Sequence, residues 1–160
     1  MNTWFVPYAP GKLEAIGYKN GKIVSHFKTE TTGEPVTLQI IADRTALKND
    51  GWDAMPITVQ ALDSKGRPVP TANLPVQFEI KGAGRIIGLG NGDPNSHEME
   101  KGNHRSLFNG LAQVIIQSNE GETTPISLTA TAPGLKPATV TLQVQAVAPI
   151  PFVEPAKSSR

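Results

Sequence analysis

Apolar residues recur at every second position along most of this chain, and that spacing constrains its fold more than any other feature. Met55, Ile57, Val59 and Ala61 alternate with Pro56, Thr58 and Gln60. A period of two places one set of side chains on each face of a strand, whereas a helix needs a period near 3.6. The same alternation runs through Val76, Phe78 and Ile80, through Ala112, Val114 and Ile116, and through Ile126, Leu128 and Ala130. It returns at Ala138, Val140, Leu142 and Val144, and in shorter form at Val36, Leu38 and Ile40 and across residues 86–89. Each run is apolar on one side and polar on the other, as in an antiparallel sheet with one buried face. About seven such runs predict two sheets packed face to face in an all-β protein.

The punctuation agrees with this reading. Fifteen glycines and 14 prolines fall between the apolar runs, where turns need them. Asp63-Ser64-Lys65-Gly66 marks one turn, and Pro68, Pro70 and Pro75 a stiff connection after it. Near the N-terminus, residues 13–18 and 23–29 flank Lys19-Asn20-Gly21-Lys22, and Asn-Gly between two such runs is a strong hairpin signal. Residues 3–30 have room for about three strands. The chain therefore divides into an N-terminal β-arm (1–33), a sandwich (34–147) and an extended, proline-rich tail (148–160). A small isolated sheet is marginal without a packing partner, so the arm is expected to pack on the main domain or to pair with a second copy in a dimer.

Charge and composition exclude several functions. Fifteen basic and 14 acidic residues leave a net charge of +1, with no basic field to attract nucleic acid or an anionic membrane surface. No apolar run approaches the ~20 residues of a membrane-spanning helix, and no secretory signal pattern is visible at the N-terminus. The absence of cysteine removes thiol catalysis, thiolate metal sites and disulfides together.

Potential ligand groups crowd into one place, the long polar stretch between residues 84 and 118. Asp93, Glu98, Glu100, His97 and His104 supply carboxylates and imidazoles, but a catalytic acid–base pair needs distinct, partly buried surroundings to separate two pKa values. A glycine-rich polar loop is ordinarily solvated, and no catalytic residue is assigned here. Asn91, Asp93, Ser96 and Glu98 could offer hard oxygen ligands to calcium. The competing and preferred reading is that they cap their own backbone as Asx-type turns. His97 and His104 have no helix to align them on zinc. Arg105 is expected to clamp the turn at residues 91–98 through a carboxylate, bidentately where geometry allows, with Phe108 beside it in the core. Trp52, in a turn-rich connection, is a candidate sugar or inter-domain contact, although 6% aromatic residues is little for a sugar-binding platform.

Two sets of motifs carry a family resemblance. Asp50-Gly51, Ile57-Thr58-Val59, Asp63-Ser64-Lys65-Gly66-Arg67-Pro68-Val69-Pro70, Val76-Gln77-Phe78 and Asn109-Gly110-Leu111-Ala112 resemble a bacterial immunoglobulin-like domain of the invasin/intimin type. Asn91-Gly92-Asp93-Pro94, Ser96, Glu98, Arg105, Phe108 and Gly110 resemble more closely the C-terminal accessory domain of family 2 glycoside hydrolases of the β-galactosidase kind. Trp4, Val6-Pro7-Tyr8, Pro10-Gly11 and Gly17-Tyr18 resemble the last strands of the domain preceding it there. The resemblance implies an immunoglobulin-like sandwich that is part of a retaining hydrolase, whose two catalytic glutamates would lie on a (β/α)₈ barrel elsewhere in the polypeptide. Such a barrel takes ~250 residues, more than this chain has. The resemblance further implies an accessory role without cofactor, contacts with neighbouring domains or with glycan, and export to the periplasm or cell surface. The invasin-type pattern alone would equally suit a cell-surface adhesion or spacer repeat, and a standalone carbohydrate-binding module is a third class.

Overall fold

A computed structural model describes residues 3–148, which divide between Gly33 and Glu34 into two units. The first unit is a β-hairpin. Strands β1 (Lys12–Lys19) and β2 (Lys22–Glu30) pair antiparallel through the two-residue loop Asn20-Gly21. Both loop residues have positive φ, 51° and 73°, the left-handed pair that a type I′ turn requires and that asparagine and glycine supply at least cost. The hairpin's open end is tied by Thr31 N–H to the Gly11 carbonyl (2.8 Å) and by Gly11 N–H to the Thr31 hydroxyl (3.0 Å). Leu13, Glu14, Ala15 and Phe27 line an open groove with Trp4 and Val6, and Glu14 pairs with Lys12 at 2.8 Å. Among its described residues the arm thus has two strands where the sequence suggests three. Residues 3–10 join no ladder, since Pro7 and Pro10 have no N–H to give one.

Among its described residues, the second unit holds nine strands in two sheets. One sheet is built from β3 (Pro35–Ala42), β5 (Ala54–Asp63), β9 (Leu111–Ser118) and β7 (Gly84–Gly90), in that order and antiparallel throughout. The other orders β4 (Ala46–Lys48), β11 (Ala138–Gln145), β10 (Ile126–Thr131), β6 (Pro75–Lys81) and β8 (His104–Ser106). Strand β4 runs parallel to β11, so the first part of the chain crosses from one sheet to the other before β5 begins. One sheet with first, second, fifth and fourth long strands, facing another of third, sixth and seventh, is the immunoglobulin-like arrangement.

The seven alternating runs are the seven long strands. Strands β4 and β8 complete the count; three residues are too few to display a period. Ile57, Val59, Val114 and Ile116 from one sheet meet Phe78, Ile126, Leu128 and Leu142 from the other in a single buried cluster. Each such side chain contributes roughly 1.5–3 kcal/mol on removal from water, so the interleaved layers carry the fold. Val36 departs from the expected face. The ladder shifts register between Pro35 and Thr37, and Val36 is left exposed while its carbonyl accepts Lys136 N–H at 3.0 Å.

One buried carboxylate organises the turn after β5. Asp63 accepts N–H from Lys65 (2.9 Å) and Arg67 (3.0 Å) on one oxygen and the Arg67 guanidinium (Nε 2.9 Å, Nη2 2.6 Å) on the other. At the same end of that sheet, Asn109 (φ 51°) and Gly110 (φ 79°) make a second Asn-Gly turn that leads into β9, with Ala61 N–H on the Gly110 carbonyl at 3.0 Å. A side chain at Gly110 would place its Cβ 2.3 Å from the Val69 carbonyl oxygen.

Candidate functional site

The polar loop leaves β7 at Gly90 and returns through β8. Its ligand-type side chains turn inward on their own backbone. Asn91 Oδ1 accepts Asp93 N–H (3.1 Å), Asp93 Oδ1 accepts Asn95 N–H (2.9 Å), and Ser96 Oγ accepts Glu98 N–H (3.3 Å). Three short-range turns in succession thereby satisfy three of the loop's backbone donors, as Asx and Ser motifs do.

Arg105 closes the loop. It is 5% exposed and donates Nη1 to the Glu98 carbonyl and Nη2 to Asn91 Oδ1, each at 2.9 Å. The bidentate carboxylate clamp expected from the sequence is not formed. Glu98 instead gives its two carboxylate oxygens to Ser106, one to the backbone N–H (2.9 Å) and one to the hydroxyl (2.6 Å), while Arg105 Nε stays 3.6 Å away. The Ser106 hydroxyl first, then its backbone N–H and the Arg105 charge, hold the Glu98 carboxyl below its ordinary pKa. Asn91 Nδ2 also donates to the Ser106 carbonyl at 3.0 Å, so Asn91, Glu98, Arg105 and Ser106 form one closed set. Ser106 is the member the sequence reading passed over; its place opposite Pro75 in the β6–β8 ladder leaves no sequence signal.

This geometry bears on each chemical reading. Asn91 Oδ1 already carries a guanidinium, and a calcium ion there would face a fixed positive charge. Among the described residues no three His, Asp or Glu side chains converge as a metal set. His97 and His104 are both exposed. The shallow groove beside the loop is lined by Thr58, Gly90, Asn91, Gly92, Leu111, Ala112 and Gln113, none of them a carboxylate or an imidazole. Leu107, and not Phe108, is the buried residue at the loop's return; Phe108 is half-exposed and closes the Asn-Gly turn by paired hydrogen bonds with Leu111 (2.9 and 3.0 Å).

Trp52 lies on a different loop, between β4 and β5, and is 76% exposed. The loop around it is fastened. Asp50 Oδ1 accepts N–H from Trp52 (2.9 Å) and Asp53 (2.7 Å), and Gly51 takes a positive φ of 75°. Asp53 accepts the Arg44 guanidinium on both oxygens (one at 2.9 Å) and Lys48 N–H at 2.7 Å. The Arg44 pairing, chiefly, keeps the Asp53 carboxyl below its usual pKa. An apolar ring is thus held out on a braced turn.

Fold and site together define an immunoglobulin-like β-sandwich whose polar loop is spent on its own order. Residues 38–141 match the glycoside hydrolase family 2 C-terminal domain 5, and the chain belongs to that family. Residues 1–25 match a separate domain of unknown function. The chain is 37% identical over 143 residues to the β-galactosidase BoGH2A of Bacteroides ovatus, covering 89% of this chain and 17% of that protein. It is 30% identical over 116 residues to a putative β-glucuronidase of Formosa agariphila, covering 72% and 11%. Among solved structures, a family 2 glycosyl hydrolase from Bacteroides cellulosilyticus superposes with a TM-score of 0.83 at 34% identity, covering 88% of this chain and 18% of that one. The chain therefore spans less than a fifth of the length of these relatives.

Proposed function

We propose that this chain is a non-catalytic accessory module of a β-galactosidase-type glycoside hydrolase, working by packing on neighbouring domains and shaping the approach of larger glycans. One observation carries the reading: the side chains of Asn91, Asp93, Ser96, Glu98, Arg105 and Ser106 are engaged with one another and with backbone. A retaining glycosidase needs two carboxyls about 5–5.5 Å apart across a sugar-sized pocket, and the groove beside this loop has none. The match of the sandwich to a C-terminal domain of family 2 hydrolases supports placing the catalytic barrel upstream in the same polypeptide. The internal closure of the loop supports a structural role over an adhesive or independent sugar-binding one.

Deleting residues 34–147 from the longer hydrolase tests this. The expected result is a lower melting temperature, with hydrolysis of small aryl galactosides by the folded fraction retained and cleavage of larger glycans altered. The isolated chain should leave the same galactosides intact; turnover by rigorously purified chain would overturn the reading.

A further inference from the structure

The two outer faces of the sandwich are chemically unlike. On the five-stranded sheet the outward positions carry threonine, serine and glutamine with Glu79, Lys81 and Lys48 among them, and Glu79 pairs with Lys81 at 2.9 Å. None of the exposed large apolar side chains of the second unit's described residues stands there. On the four-stranded sheet Ile41 and Leu111 are each 42% exposed and Ile87 is 38% exposed, with half-buried Ile115 between them. Register places Ile41 beside Thr58, with Gln113 beyond Thr58 on the next strand, and Leu111 beside Gln60, so apolar and polar side chains interleave across the face. Arg85 is the one charged residue among its outward strand positions, and its guanidinium is occupied by Gln117 and Asn119. The Trp52 carbonyl accepts Gln117 Nε2 at 3.4 Å, which sets the braced Trp52 turn at the rim of this face.

We infer that the outer face of the four-stranded sheet, rimmed by Trp52, is the surface on which an upstream domain of the same polypeptide packs. A free surface of this kind exposes apolar area with a single charge, Arg85, to keep it solvated. Covering it desolvates almost no charge, the property that separates the centre of an interface from its rim, and a moderately polar, uncharged character suits contacts between domains of one chain. The occupant follows from length: the Bacteroides ovatus and Formosa agariphila relatives carry this region as 17% and 11% of their sequence, and the matched family is named for a C-terminal position. The inference rests on the accessory-module reading and adds the face to it.

The chain has no cysteine, so single thiols report accessibility directly. Leu111→Cys and Ile41→Cys are compared with Thr129→Cys and Thr141→Cys, on the opposite sheet, for maleimide labelling in this chain alone and in the longer hydrolase freed of native cysteines. In the chain alone all four should react freely. In the longer hydrolase the Leu111→Cys and Ile41→Cys thiols should react about tenfold slower or less, as buried positions do, with the other two unchanged. Equal labelling of all four there, or protection of the Thr129→Cys and Thr141→Cys thiols instead, would overturn the inference while leaving the accessory role intact. Concentration-dependent protection of the Leu111→Cys thiol in the chain alone would assign the face to a second copy, and protection appearing only with added galacto-oligosaccharide would assign it to glycan. Loss of hydrolysis by the longer protein's barrel is a separate readout and bears on the accessory-module reading alone.

Discussion

At the scale of single residues, backbone geometry and buried hydrogen bonds decide more here than exposed chemistry does. Gly110→Ala must bring a Cβ to 2.3 Å from the Val69 carbonyl oxygen at a φ of 79°. Strain of that kind costs of order 1–3 kcal/mol, and the urea midpoint should fall accordingly with an unchanged slope. Arg105→Met leaves the Glu98 carbonyl without its guanidinium donor and Asn91 Oδ1 with only the Asp93 N–H; an acceptor so stranded costs about 1–3 kcal/mol, and amide exchange should quicken across residues 91–98. Glu98 carries a pH signature. Its folded pKa lies below the ordinary value, so its contribution is present above about pH 4.3, the unfolded glutamate value, and is lost as pH falls through the folded pKa. Glu98→Gln should therefore flatten the decline of stability in acid, as read from urea titrations at successive pH values; an identical decline would refute this. These partners were only partly legible beforehand. The sequence places Arg105 opposite the turn, but a carbonyl and an amide oxygen as its acceptors depend on how the loop folds back, which no spacing encodes.

At the scale of elements, the long strands are readable because their alternation is repeated often enough to leave one solution. Strands β4 and β8, three residues each, show no period and exist because a neighbouring strand offers them an edge. The Asn109-Gly110 turn bears the same dipeptide as the hairpin at Asn20-Gly21, yet only the earlier one is flanked by two long runs. Val36 and Ile87 sit at register shifts, where alternation slips and facing cannot be counted from the sequence. The hairpin and the sandwich should also differ in protection. Strands β5 and β9 are central and buried on one face, whereas nearly every residue of β1 and β2 is exposed. Amide exchange should be fast throughout residues 12–30 and slow across β5 and β9. Comparable protection in both would mean that the hairpin has a cover in solution.

At the scale of the whole molecule, stability comes from two layers that are each incomplete without the other. Trp52→Ala should leave the unfolding free energy within about 0.5 kcal/mol, as for an exposed residue outside any packed contact, while a core truncation such as Leu128→Ala should cost about 2–5 kcal/mol. Thermal unfolding followed by circular dichroism distinguishes the two variants directly. The parallel seam between β4 and β11 has a consequence of another kind. Residues 46–48 need residues 143–145 beside them, and Asn49 is held from the far end of the chain, its N–H on the Gln145 carbonyl (2.9 Å) and its Oδ1 on Val147 N–H (2.8 Å). During synthesis the ribosome delivers β4 long before β11. The nascent sandwich must wait with an open flank until its last strand emerges, a window in which a chaperone or another nascent chain can reach it.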